Sequence, residues 1–485
     1  MPSSDVTVIR AADWVVAWDS DRADHVYLEG ADVAWRGGAL VQVGGRYQGP
    51  VTRELSGRGR MVMPGLVDIH AHTGDELLAK GLFDDIGSPG LWGQALYQFS
   101  TLLDADAEAV AACTELTLAS LACSGVTTVV DIGGPWDGWL DRLAASGLRA
   151  YAAPSFRQAR WDASSGHRLD YLWDVDGGRA RFEAALRVVD DARAHPCGRL
   201  DALLAPAQVD TCDEALLRDA HAEARRRGIG LTIHAAQTMA EHEELMRRHG
   251  LTAPAWLDRI GVLDERVILG HAIFLDHHRW TRLRTASDLA RLAERGTSVA
   301  HCPTTFARSG MTLESLGGYR RAGVNVGLGT DSYPFDMIAE MRDALVCARI
   351  AAGDVFDCGV GDVFRAATVA GARALGRDDI GRLAAGARAD LVVVDLEHPA
   401  MGPVHDPLRS LVLTAGERAV RDVFVDGAHV VADGRMLAFD RAEAAARVAA
   451  GQRRAVAHLA SATGAHGDAT IDHIAPRCLA LGGPR

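Results

Sequence analysis

Lysine is almost missing from this chain: Lys80 is the single one among 51 basic residues, so nearly every positive charge is arginine. No block of basic residues stands out, and 51 positive against 64 negative side chains leave a net charge of −13, which excludes phosphate-backbone binding as the main activity. The eight cysteines (Cys113, Cys123, Cys197, Cys212, Cys302, Cys347, Cys358 and Cys478) contain no CxxC pair and sit in apolar segments, the pattern of buried reduced thiols. No stretch reaches the roughly 18 uncharged apolar residues of a membrane helix, and the first residues lack the charged and apolar regions of a signal peptide. The expected location is cytoplasmic. What is present is 485 residues, 48% hydrophobic and 24% charged, the balance of a soluble globular enzyme and more than one ordinary domain.

The texture changes along the chain. Residues 1–62 alternate short β-like runs (VTVIR, WVVAW, VYLEG) with Gly and Asp turns, and residues 378–440 return to the same pattern (ADLVVVDL, RDVFVDGAHVVADG), so the two ends are expected to complete one β-sandwich-like domain. Between them, over 63–377, apolar strands alternate with Ala-, Leu-, Arg- and Glu-rich helical stretches. Strand candidates lie near 65–72, 126–133, 148–156, 200–209, 229–237, 266–272, 297–303 and 324–331. Eight such units predict a (β/α)8 TIM-type barrel, with an open doubly wound sheet as the alternative. Residues 441–485 read as an Ala-rich helix followed by a Gly/Pro tail.

Polar residues interrupt these strands at their C-terminal ends, where barrel active sites lie. Strand one ends in His70-Ala71-His72, strand five in His234, strand six in His271, strand seven in His301 and strand eight in Asp331. Residues two apart on a strand face the same way, so His70 and His72 can reach one ion together. With His234 and Asp331 they make a set suited to Zn or Fe(II) with an open position.

MPGLVDIHAH, IHAAQTMAEHEEL, VILGHAIFLD, VAHCP, GVNVGLGTDS and TVAGARALGRDDIGRLAAGARADLVVVDL together resemble the amidohydrolase superfamily, in the branch of cytosine deaminase, guanine deaminase and the triazine chlorohydrolases, over residues 60–440. The resemblance implies His70, His72, His234 and Asp331 as ligands of one divalent metal, Zn or Fe(II). It implies that Asp331 also takes a proton from the water the ion activates, and that His271 polarises or stabilises an oxyanion. Dinuclear relatives use a carboxylated lysine on strand four; RLDALLAP has none, which implies one ion.

Three positions depart from that branch. Gln237 stands where its deaminases carry glutamate, and an amide donates a hydrogen bond but delivers no proton. Pro206-Ala207-Gln208 and Thr305-Phe306 replace the usual purine or cytosine contacts. Catalysis is therefore assigned to Asp331, His271 and Gln237, and substrate contact to Trp92, Gln94, Arg157, Gln208 and His301, with Arg160 and Trp161 alongside. Asp75 and Asp131 are candidates to support the ligands, while His277 and His278 are expected on a helix surface without a chemical role. The predicted activity is metal-dependent cleavage of a carbon–nitrogen bond in a small heterocycle, deaminase-like. Ring opening of a cyclic amide, triazine-type dehalogenation and a non-catalytic binding barrel are the alternatives. Neither nucleic acid nor membrane is expected as a partner, and a homodimer or higher homo-oligomer is.

Overall fold

The computed structural model describes residues 5–99, 102–462, 475 and 477–479. Eight parallel strands form the central sheet: β1 (Leu66–Ala71), β2 (Val126–Gly133), β3 (Arg149–Phe156), β4 (Leu200–Pro206), β5 (Gly230–Ala235), β6 (Val267–His271), β7 (Ser298–His301) and β8 (Asn325–Leu328). They neighbour one another in chain order, and the ends meet where Asp331 N donates to His70 O (2.8 Å) and His72 N to Asp331 O (3.0 Å). The barrel is therefore closed at the end that carries the histidines. These strands are buried on both faces, which is why they read as runs of Val, Ile, Leu and Ala rather than as alternating patterns. Val67, Ile69, Val130, Ile132, Leu203 and Ile268 fill the interior.

Helices pack outside, several opened by a side chain that accepts a first-turn N–H: Asp106, Asp174, Asp213, Thr238 and Asp336. The terminal strands form a second, nine-stranded sheet. Val6–Asp19, Asp24–Arg36, Ala39–Val43, Arg53–Ser56 and Arg60–Pro64 are joined by Leu391–Asp395, Val420–Val425, Ala428–Ala432 and Arg435–Met436. The seam is the antiparallel pairing of Arg60–Pro64 with Leu391–Asp395. This sheet curls enough to bring the Trp35 and Phe424 rings to 5.2 Å although three strands separate theirs.

It docks beneath the barrel through charge. Arg149, the first residue of β3, donates to Asp390 (3.2 Å) and Asp426 (2.7 Å), and Arg388 pairs with Asp426 as well. The last helix, Arg441–Ala462, lies along Ala107–Cys123, where a Cβ on Gly451 would meet Ala109 Cβ at 2.7 Å. Arg447 pairs with Glu108 and Glu115, Arg454 with Asp106, and Gln452 Nε2 donates to the carbonyls of Leu78 and Lys80. The expected Gly/Pro tail falls mainly outside the described residues. Among the described residues no helix is long and apolar enough to cross a membrane.

Candidate metal centre

Five chemically functional side chains meet at the closed end of the barrel, delivered by the ends of four strands or the residues just after them. His70 is the penultimate residue of β1, His72 follows that strand, His234 lies in β5, His271 ends β6, and Asp331 follows β8. Asp68 fixes the first of them: its Oδ1 accepts from His70 N (3.0 Å) and Thr330 N (3.2 Å), and its Oδ2 from Thr330 Oγ1 (2.7 Å), tying β1 to the residue before Asp331. Asp131 in β2 does the same for the residue after His72, accepting from Thr73 N, Thr73 Oγ1 and Trp139 Nε1.

Tautomers follow from partners that only accept. His72 Nδ1 donates to Ile132 O (2.8 Å) and His234 Nδ1 to Ala207 O (2.6 Å), so when either ring is neutral its Nε2 atom is a bare lone pair. These lone pairs point at each other. His234 Nε2 lies 3.2 Å from His72 Nε2 and 3.1 Å from His70 Nε2, while Asp331 Oδ1 is 3.3 Å from His72 Nε2 and 3.4 Å from His70 Nε2. Nitrogens and a carboxylate oxygen this close repel unless a proton or a metal cation stands between them. Ligand bonds of about 2.0–2.2 Å to a four- or five-coordinate ion place neighbouring donors about 3.0–3.6 Å apart, which is the spacing found. The donor set fits a divalent metal.

Electrostatics agree. Burial alone would raise the Asp331 carboxyl, but His271, His70 and His72 hold it well below the carboxylate range. Burial lowers His70, His234 and His271, whereas Asp331 overrides burial at His72 and lifts it to about 9. The cluster thus draws in positive charge. His271 belongs to the same buried group as His70, His234 and Asp331, with its Nε2 4.0 Å from Asp331 Oδ1 and its ring 4.4 Å from that of Phe306.

The other expected residues scatter. Gln237 is buried in the turn after β5, where Glu241 accepts the N–H groups of Ala236 (2.6 Å) and Gln237 (3.1 Å). Gln208 forms a parallel bridge with His234, and its Oε1 accepts from Thr211 Oγ1. His301 is fully buried, yet among the described residues no hydrogen bond or ring contact joins it to the cluster. Trp92 stacks on Trp280 at 6.2 Å, and Gln94 Nε2 donates to Met311 Sδ. Arg157 lends its carbonyl to Arg181, Arg160 is exposed, and Trp161 donates to Asp210. Asp75 is exposed and makes no capping bond.

The expectation for His277 and His278 fails. Neither is helical, because the chain after β6 folds back on itself with Trp280 stacked on Phe274 (5.6 Å); this buries His278, whose Nδ1 accepts from Trp280 N. Sequence reasoning also passed over Glu241, although Thr238-Met-Ala-Glu241 is a capping-box pattern, with Thr238 Oγ1 accepting from Glu241 N.

The model of the amidohydrolase family matches residues 61–430. The 5-methylthioadenosine/S-adenosylhomocysteine deaminases of Natronomonas pharaonis and Halobacterium salinarum are 30% identical over 408 residues (83% of this chain, 88% of the relative) and 31% identical over 422 residues (86% and 91%). An adenosine deaminase from Xanthomonas campestris, solved with bound zinc, superposes with TM-score 0.79 at 27% identity, covering 94% of this chain and 99% of that one. An atrazine chlorohydrolase from Arthrobacter aurescens, also with zinc, gives TM-score 0.77 at 23% identity over 92% and 100%, a likeness of fold alone.

Proposed function

Since the chain belongs to the amidohydrolase family and is a metal-dependent hydrolase acting on carbon–nitrogen bonds, deaminase-like, we propose that it removes an amino group from a small nitrogen heterocycle, with purine nucleosides the first class to test. The observation that carries the chemistry is the close approach of the Nε2 atoms of His70 and His72 to both His234 Nε2 and Asp331 Oδ1. The substrate class draws its support from the 30–31% identical deaminases. One zinc ion, a cytoplasmic location and a homo-oligomeric state complete the reading; zinc in two similar structures and eight free thiols support the first two.

His70, His72, His234 and Asp331 would hold the metal, which when bound supplies Lewis acidity and lowers the pKa of water toward neutrality. The chain's own residues do the rest. Asp331, through the carboxylate oxygen turned away from the histidines, accepts the proton that water gives up as it attacks the ring carbon and returns it to the amino group, which leaves as ammonia. His271, kept neutral by burial, donates a hydrogen bond to the oxygen on which charge develops. Gln237, its backbone pinned by Glu241, orients the ring nitrogen. The hydrogen-bonded carbonyls of Ile132 and Ala207 keep His72 and His234 in the tautomer that leaves Nε2 free.

Gln237 favours a second reading, hydrolytic opening of a cyclic amide, because its amide N–H can hold a substrate carbonyl while Asp331 passes the proton taken from water to the departing ring nitrogen. Mass spectrometry of zinc-loaded protein with purine nucleosides, pterins, pyrimidines, hydantoins and lactams separates the two. Replacement of NH by O is expected; gain of one whole water would move the assignment to ring opening. Gln237→Glu is expected to raise deamination about tenfold or more by restoring a proton carrier.

A further inference from the structure

The link between β3 and β4 is not a plain loop. Ala159–Asp162 pairs antiparallel with Asp170–Trp173 to make a hairpin that rises at the metal-bearing end of the barrel. Its base is sewn to the β4 loop: Gln158 N and Ala159 N both donate to Thr211 O, and Gln158 and Asp213 exchange two further bonds.

The hairpin's side chains converge on one buried carboxylate. Asp210, wholly inaccessible, accepts from Trp161 Nε1 (3.0 Å) and Tyr171 OH (2.7 Å) on the same oxygen, Oδ2. Arg248 on the helix Met239–His249 donates to the backbone carbonyl of Asp210 (2.7 Å). Its guanidinium lies over the rings of Tyr171 (4.3 Å) and Trp173 (5.2 Å).

The network continues toward the site. Trp161 meets Tyr97 edge-on at 4.8 Å, and the Tyr97 hydroxyl is 2.5 Å from Thr238 Oγ1, next to Gln237. Val209, next to Asp210, donates its N–H to the carbonyl of His234 (3.1 Å). On its outer side the hairpin forms, with Trp92 and Ala240, the wall of a groove of about 630 Å³ whose aromatic faces are Trp92, Tyr171 and Trp173. Two donors aimed at one buried point need an acceptor there, and no apolar residue supplies one.

We propose that Asp210 is a positioning residue: it fastens the 159–173 hairpin against the turn that carries Gln237, and so shapes the groove that receives the part of the substrate remote from the reacting carbon. The groove's role rests on the hydrolase reading above; the fastening does not. Its aromatic faces and the charged side chains of Glu243, Glu244, Arg247 and Arg248 that line it suit a flat appendage carrying polar groups.

The test compares Asp210→Ala with Asp210→Asn in metal-loaded protein, using hydrogen exchange and kinetics with 5-methylthioadenosine as probe. In Asp210→Ala, amide exchange across 159–173 is expected to rise about tenfold with the barrel strands and metal content unchanged. KM is expected to rise about tenfold while kcat changes less than about threefold. Asp210→Asn keeps an oxygen acceptor and is expected to restore both. Unaltered exchange in the hairpin, or a fall in kcat at constant KM, overturns the proposal. Should Asp210→Ala not fold, Tyr171→Phe removes one of the two bonds, and unaltered hairpin exchange there overturns it equally. If the wild type hydrolyses no heterocycle, the functional reading falls while the exchange result still decides the fastening.

Discussion

Where the barrel strands begin, Arg149 lies between Asp390 and Asp426, Arg388 shares Asp426, and Arg377 pairs with Asp379, so buried charge there is met by opposite charge. Where the strands finish, the Asp331 carboxylate is faced by the imidazoles of His70, His72 and His271, and His234 Nε2 lies within 3.2 Å of the Nε2 atoms of His70 and His72. The lower end balances its charges as folded; the upper end gathers ligand atoms that a cation would join. A buried pair holds two layers in register at little net gain, whereas a buried set of acceptors is a standing cost kept for chemistry.

Breaking the upper end gives the largest effect. His234→Ala or Asp331→Ala is expected to reduce turnover by at least about three orders of magnitude while the melting temperature and circular dichroism stay near those of metal-stripped wild type. Full activity in either would remove the metal assignment. Breaking the lower end does the reverse. Arg149→Leu leaves Asp390 buried without its counter-charge and is expected to cost about 3–5 kcal/mol in urea unfolding, with turnover per folded molecule unchanged.

The contrast sharpens on chelation. Returning zinc at about 100 times its dissociation constant is expected to stabilise the stripped protein by about 2.7 kcal/mol, and to do nothing for Asp331→Ala. The smallest effect lies at the exposed contact of the last helix. Arg454, with help from the Ala109 N–H, holds the Asp106 carboxyl at about 2. Because that value is depressed, the contribution is present above the ordinary carboxylate range near 4 and is lost as pH falls from about 4 to about 2. The stability difference between wild type and Arg454→Ala should therefore shrink across that window in an acid titration.

Strands with a continuous apolar run were legible because burial on both faces leaves only one composition open to them: Val126–Gly133 has the bounds its sequence suggests. His70, His72, His234, His271 and Asp331 were legible because polar residues that end such runs have nowhere to point but the barrel mouth. Asp210 and the hairpin were not. WDASSGHRLDYLW lacks period-two alternation, and its pairing depends on a carboxylate delivered from the β4 loop, 39 residues beyond Tyr171. The same holds for His278, whose burial is set by the stacking of Trp280 on Phe274, not by its own neighbours in sequence.

The scarcity of lysine acquires a practical meaning from the position of Lys80. Its side chain is exposed, it closes the short turn Glu76–Ala79 that follows the His70-Ala71-His72 segment, and its carbonyl is held by Gln452 of the last helix. An amine-reactive fluorophore therefore meets one ε-amine in 485 residues. Attached there, it reports at once on movement of the first loop at the barrel mouth and on release of the C-terminal helix, with no mutation needed to install it.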